Sequence, residues 1–353
     1  MKMEYITLAK GDPEFESYLL GTFSPTHRAL PVETYHAHTV REKVTFRVVP
    51  LEKLGVPSWW WVYLRSTRPE LLPLTLGPAF AAWLSHPVHR GFWPELPSWF
   101  ALVGIFFLHT AVFLFNDVQD HVHGWDRQNR QRGSQVIQKG WVPAIEMKRW
   151  AWVNFTLALI FGTVAAIQSP LRILGVCGLA ALALAIVVRE FGTRYALVDL
   201  ALLLLFGPLL TVGVALASSG EAHLFDVLLG FAFGALTVWV FQVRQFENLF
   251  RASPESAKTF LGYQNFDRAR WICLAEGAVL LVLQPLVALA LRLPLIFFVL
   301  APLVSIPLIL TLQRILRAAS PLSSTLIHSS RWALASHLSW TLWWILALGV
   351  MWL

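Results

Sequence analysis

The sequence predicts an all-α, polytopic membrane protein with about nine transmembrane helices. Hydrophobic residues make up 56% of its 353 positions and charged residues only 14%, against about 25% charged in a soluble protein. Mean hydropathy is +0.57. Seventeen tryptophans agree, because Trp and Tyr gather at membrane–water interfaces. In so apolar a chain the net charge of +7 belongs to basic cytoplasmic loops, which sets nucleic-acid binding aside.

Residues 1–58 differ from the rest: they mix charge, His and Pro with a strand-like run, Glu42–Val49, and read as a small N-terminal extramembrane arm. The N-terminus is polar and lacks the short apolar stretch of a signal peptide. Trp59-Trp60-Trp61-Val62-Tyr63 then reads as an interfacial anchor and opens a transmembrane domain over 59–353. A span needs about 20 mostly apolar residues to cross a core about 30 Å thick. Runs approaching that length are Leu71–Leu84, Trp99–Phe115, Trp150–Ile167, Leu171–Val188, Ala196–Ser218, Leu224–Val243, Trp271–Leu291, Leu295–Leu312 and Trp332–Leu353. The first is short and holds Pro73 and Pro78. Pro208, Pro285, Pro302 and Pro307 fall inside others, where neighbouring helices can satisfy the freed carbonyls. Cys177 and Cys273 sit in apolar runs and read as packing residues.

With nine spans, the loops on the N-terminal side hold sixteen Lys or Arg residues and the opposite side three: Arg90 and Arg292 in loops and Arg172 at the mouth of the fourth span. That split places the N-terminus in the cytoplasm and the C-terminus outside.

Two of the cytoplasmic loops are long. The first begins FNDVQDHVHGWDRQNRQRGSQVIQKGW, residues 115–141. Asn116 and Asp120 stand one helical turn apart and share a face; Asp117 and Asp126 add carboxylates, followed by Arg127, Arg130, Arg132 and Lys139. Hard oxygen ligands suit Mg2+, which binds through one or two carboxylates plus substrate phosphates, and guanidiniums suit phosphate oxygens. The loop therefore reads as a magnesium-diphosphate site at a membrane surface. Two other readings stand beside it: a solvated loop of mixed charge, and a transition-metal pair at His121 and His123. Within the spans, Asp199 is an ionisable residue at membrane depth that either binds substrate or pairs with Arg194. Glu276 and His337 read as helix-packing or interfacial residues.

NDxxDxxxGxD, from Asn116 through Asp117, Asp120, Gly124 and Asp126, resembles the first aspartate motif of the UbiA superfamily of intramembrane prenyltransferases. The menaquinone branch, which prenylates dihydroxynaphthoate, is the nearest pattern. GSQVIQKGW (133–141) resembles its GSRVLxxGL segment, with Gln135 replacing an arginine. YLRSTRPELLPLTLGPAFAAWL (63–84) resembles its RPxTLPxxxxPxxxG opening, and YALVDLALLLLFGPLLTVGVALASSG (195–220) its LGELxxxxxFGPLxxxGxxYxxTG stretch, with Asp199 at the glutamate. The family's second motif, DxxxD, is degenerate here: RQFENLFRASPESAKTF (244–260) aligns on Gln245, Phe246, Lys258 and Thr259, which puts Asn248 and Ala252 at the two aspartates. Glu247 stands beside Asn248 as a substitute carboxylate. The two motif loops also end alike, Gly140-Trp141 before Arg149-Trp150 and Gly262-Tyr263 before Arg270-Trp271.

The resemblance implies a UbiA-like bundle in a bacterial inner membrane and a Mg2+-dependent prenyltransferase. Its donor would be a prenyl diphosphate and its acceptor an aromatic quinone precursor of dihydroxynaphthoate-like chemistry. Asn116 and Asp120 carry the catalysis, and Asn116, Asp117, Asp120 and Asp126 the metal. Arg68, Arg132, Lys139, Asp199, Asn248, Arg251 and Lys258 bind substrate. The alternatives are a UbiA-type terpene cyclase, whose prenyl chain attacks itself, and a non-catalytic prenyl-diphosphate-binding membrane protein.

Overall fold

Alternation in Lys43–Pro50 sends Val44 and Phe46 to one face, and both are fully buried. The computed structural model describes residues 4–36, 39–90, 96–128, 133–168, 170–190, 195–248, 261 and 264–352. Lys43–Pro50 is β3, the central strand of an antiparallel sheet between β1 (Glu4–Ala9) and β2 (His27–Tyr35). The strand expected at Glu42–Val49 is this one. Val44 and Phe46 pack on Phe15 and Leu19 of the short helix α1 (Phe15–Leu20).

The chain divides into two compact units, Met1–Glu70 with Phe106–Ile160, and Leu71–Ile105 with Phe161–Leu353. In the first unit, α2 (Trp59–Ser66) exposes Trp59, Trp60 and Trp61 and buries Val62. Helices α4 (Leu96–His123) and α6 (Ala144–Ala165) contribute to both units, and α5 (Trp125–Gln128) follows α4 directly. The sheet is tied to the loop after α4: Arg127 Nη2 donates to Glu42 Oε1 at 2.7 Å and to the Val122 carbonyl at 3.2 Å. Both side chains of this ion pair are almost wholly buried. Burial lowers the Arg127 pKa from its ordinary value, and the Glu42 carboxylate opposes that shift. Glu42→Ala would leave the guanidinium buried with its carboxylate gone, at a cost of about 3–5 kcal/mol. Thermal unfolding of the detergent-solubilised variant measures it.

The second unit is a helical bundle: α3 (Leu72–Arg90), α7 (Pro170–Glu190), α8 (Tyr195–Leu205), α9 (Pro208–Ser219), α10 (Leu224–Asn248), α11 (Phe266–Ala290), α12 (Leu295–Val304), α13 (Ile306–Leu316) and α14 (Ser329–Trp352). Helix α10 packs against α8, α9, α11 and α14. The run Ala196–Ser218 breaks between α8 and α9 because Pro208 opens α9. At that break Gly207 lies against Gly230 and Gly234 of α10: a Cβ on Gly207 would meet the Gly230 carbonyl oxygen at 2.5 Å, so only glycine admits so close a backbone approach.

Each expected span falls on helix. By length and composition, six segments among the described residues can cross a membrane: Leu96–His123, Leu197–Ser219, Leu224–Glu247, Phe266–Ala290, Leu295–Leu316 and Ser324–Met351. The expected spans Leu71–Leu84 and Trp150–Ile167 lie on α3 and α6, which fall short of that mark, and Leu171–Val188 lies on α7, which is apolar over Pro170–Leu184. Helix α6 opens on Glu146, Lys148 and Arg149. Large apolar side chains such as Leu171, Leu295 and Val299 are exposed on these helices, as a lipid environment requires. Inside the bundle, His337 is satisfied by Thr237 Oγ1 at 3.1 Å and Thr341 Oγ1 at 3.2 Å, a packing role as expected.

Candidate functional site

Helical spacing puts His109, Phe113, Asn116, Asp117 and Asp120 along one stripe of α4. Asn116 Nδ2 donates to Asp120 Oδ2 at 2.9 Å, the shared face expected from their spacing. Asp117 points to a different partner. Its Oδ1 is ion-paired with Arg68 Nη2, and its Oδ2 accepts the Ser134 backbone N–H at 3.2 Å. The Arg68 guanidinium also lies over the Phe113 ring, 5.5 Å from its centroid. Arg68, Asp117, Asp120 and Asp126 are 5%, 2%, 8% and 1% exposed, so charge is concentrated out of water at this end of α4. The Arg68 backbone is left-handed, φ +49°, an arrangement that costs free energy for a side-chain-bearing residue. Its buried Nε has no hydrogen-bond acceptor among the described residues.

Gly133 closes the cluster. Its φ is +70°, and a Cβ there would strike the Asp126 carboxylate and come within 3.2 Å of Arg68 Nη2. Gly133→Ala should therefore destabilise the protein by about 1–2 kcal/mol through backbone strain alone. Displacement of Asp126 adds to that loss, and a lower melting temperature together with weaker diphosphate binding would report both.

The two histidines of the motif loop are otherwise engaged. His121 is buried between the Leu19 carbonyl at 3.0 Å and Gln138 Nε2 at 3.4 Å, and His123 Nδ1 faces the Gln119 carbonyl at 2.9 Å. No three His, Cys, Asp or Glu side chains gather to hold a metal by themselves among the described residues. Lys139 is exposed, with Nζ 4.6 Å from the Trp141 ring centroid, and makes no described contact with the acidic residues.

At the second motif, α10 runs to Asn248; Arg251, Ala252 and Lys258 lie outside the described residues, as does Arg132 of the first loop. Glu247, the substitute carboxylate, is already engaged. Its Oε1 accepts the His328 N–H at 2.9 Å and its Oε2 the Ser330 N–H at 2.8 Å, capping the start of α14. Asp199 on α8 accepts from Gln242 Nε2 on α10 at 3.2 Å, whereas Arg194 is outside the described residues.

No protein-family model matches the chain, and no curated protein sequence does. Solved structures do match. One is a UbiA homolog from Archaeoglobus fulgidus bound to DMAPP and Mg2+, at 14% identity and TM-score 0.55. Another is a UbiA homolog from the same organism bound to GPP and Mg2+, at 15% identity and TM-score 0.54. Each match covers 82% of this chain and 99% of the other. The fold is the UbiA fold. On it, Asn116, Asp117, Asp120, Asp126 and Arg68 belong to one compact unit, and Asp199 and Asn248 to the other.

One residue on the α4 stripe escaped the sequence reading. His109 is buried, packs against the Phe113 ring in a tilted arrangement with centroids 4.5 Å apart, and lies within electrostatic range of Arg68. Its position two helical turns before Asn116 was the available signal, hidden inside an apolar run.

Proposed function

We propose that this chain is a membrane prenyltransferase that moves a prenyl group from a prenyl diphosphate to an aromatic acceptor of the quinone-precursor type. The observation that carries the reading is the buried cluster at the end of α4, with Arg68 drawn beneath the Asn116–Asp120 face, in a chain of UbiA fold.

The donor set suits Mg2+. Asn116 and Asp120 offer an amide oxygen and a carboxylate on one face, and an ion held by so few protein ligands needs phosphate oxygens and water to complete its shell. When bound there, Mg2+ would neutralise charge on the diphosphate as the allylic C–O bond breaks. The remaining work belongs to side chains. Asp117 and Phe113 hold the Arg68 guanidinium in place, and its Nε–H is available to an anionic oxygen. Asp117 is thus a positioning residue in this proposal, and Asp126 packs against Gly133 beside the same guanidinium. Arg132 and Lys139 of the same loop would supply further positive charge to the leaving group. Exclusion of water by the apolar helices leaves the allylic cation to the acceptor. The basic loops and the N-terminus face the cytoplasm in this reading.

A second reading, binding of a prenyl diphosphate without turnover, is favoured by one specific observation. Asn248 and Ala252 stand at the second motif's aspartates, and both Glu247 oxygens are engaged by backbone N–H groups. Purified protein in lipid vesicles, given Mg2+ and geranyl diphosphate with or without 1,4-dihydroxy-2-naphthoate, separates the possibilities. Prenylated acceptor with released diphosphate supports the transferase. A hydrocarbon product formed without acceptor points to a cyclase, and binding without diphosphate release to the non-catalytic reading.

A further inference from the structure

The first-motif loop runs from α4 to α6, and the N-terminal arm holds it at both ends. At the near end His121 donates through Nε2 to the Leu19 carbonyl at 3.0 Å, and Arg127 Nη2 donates to Glu42 Oε1 at 2.7 Å. At the far end a Cβ on Gly140 would meet Leu30 Cδ2 at 2.5 Å and Leu54 Cδ1 at 3.3 Å. A Cβ on Gly21 would likewise meet Pro143 Cβ at 2.7 Å. Between the two held ends lie Asp126, Gly133 and Ser134, which build the acidic cluster with Arg68 and Asp117. All these residues belong to one compact unit.

The two ends need the arm to different degrees. The far stretch has an apolar anchor of its own, because Val136, Ile137 and Val142 are buried in a cluster with Leu114, Val118 and Met147. The near stretch is α5, four residues long, and a single turn of helix has little stability by itself. Arg127 stands in that turn next to Asp126. Its guanidinium passes over Gly124, where a Cβ would strike Nη2 at 2.7 Å, and reaches Glu42. The Arg127 and Glu42 side chains are 1% and 3% exposed, so their bond is shielded from water and salt. Glu42 is itself steadied by Lys10, whose Nζ lies 3.7 Å from its other oxygen. Direct contacts therefore run from Glu42, at the start of β3, through Arg127 and the α5 turn to Asp126, and on to Gly133 and Arg68.

The sheet precedes every stretch of the chain that resembles the UbiA family, so that resemblance assigns it no role. We infer that the N-terminal arm is a clamp on the first-motif loop, and that Glu42 and Arg127 are positioning residues which fix Asp126 in the diphosphate site. They act through Asp126 and touch no ligand themselves. For its ligand the clamp rests on the diphosphate reading; for its grip on the loop it does not.

Hydrogen exchange of the full-length, ligand-free protein in lipid nanodiscs is compared between wild type and Glu42→Gln, which keeps the shape and loses the charge. Peptides covering 121–128 should exchange about 10²–10³-fold faster in the variant, the loss expected when one member of a buried ion pair is removed. Peptides from α11 should keep the wild-type rate. A loop that is open for most of the time binds in proportion to its closed fraction, so Mg2+-dependent affinity for geranyl diphosphate should fall about tenfold. Glu42→Asp, which retains the charge, should recover part of both effects. Reciprocity supplies a measurement that needs no variant: Mg2+ with geranyl diphosphate should slow exchange of the wild-type β3 amides. Unchanged exchange over 121–128 in well-folded Glu42→Gln overturns the clamp. Faster exchange with undiminished diphosphate affinity overturns the positioning role, as does ligand protection of 121–128 that stops short of β3. A wild type that binds no geranyl diphosphate would sink the diphosphate reading, while the ligand-free exchange would still decide the grip of the arm on the loop.

Discussion

Asp120→Asn is expected to weaken Mg2+-dependent binding of geranyl diphosphate strongly and to reduce turnover by about 10²–10³-fold, the usual effect of losing one preorganised electrostatic contact to a transition state. The substitution keeps the side chain's shape and removes its charge. Asn116 Nδ2 can still find an oxygen at position 120, so the helix-face contact at 2.9 Å has a neutral replacement and the fold should persist. A divalent ion has no such replacement, because its affinity depends on ligand charge. Isothermal titration with and without Mg2+ measures the effect. Unchanged Mg2+-dependent affinity in a folded variant would remove the metal from this face of α4.

Arg68→Ala should destabilise the protein by about 3–5 kcal/mol, as removing one member of a buried ion pair does. Asp117 would be left buried with the Ser134 N–H at 3.2 Å as its hydrogen-bond partner among the described residues, and Phe113 would lose the cation over its ring. Structure and function are coupled at this residue, so the single variant cannot separate them. Replacing both partners, Arg68→Met with Asp117→Leu, removes the stranded charge and should recover most of the stability, since apolar replacement of a buried pair is often neutral. Diphosphate affinity should stay low in the double variant, because the guanidinium is gone. Melting temperature and diphosphate affinity, measured on both variants, give the answer. Recovery of both together would show that Arg68 serves packing alone.

The helices were legible because each apolar run is a local property: about 20 residues from Leu224 onward cannot meet their backbone hydrogen bonds in lipid except as a helix. The Asn116–Asp120 contact was legible for the same reason, being set by helical spacing alone. The expected spans on α3 and α6 show where run-reading is weakest. Prolines and an opening Glu146, Lys148 and Arg149 dilute their apolar character without preventing helix formation.

Partners far apart in sequence are another matter. Asp117 and Asp120 look equivalent in the motif, yet Asp117 is drawn to Arg68, 49 positions earlier, while Asp120 stays with Asn116. Glu247 looks like a spare metal ligand beside Asn248, yet its oxygens are taken by N–H groups 81 and 83 positions later, at the start of α14. Nothing in the residues around either carboxylate encodes that choice. The sequence by itself determined the helical class, the apolar runs and the spacing of the first motif, because burial in lipid and helix periodicity act over neighbouring residues. Tertiary structure alone decided which carboxylate is tied to a guanidinium and which caps a helix. It alone also brought Gln242 of α10 to Asp199 of α8, because a buried polar group takes the partner that packing delivers.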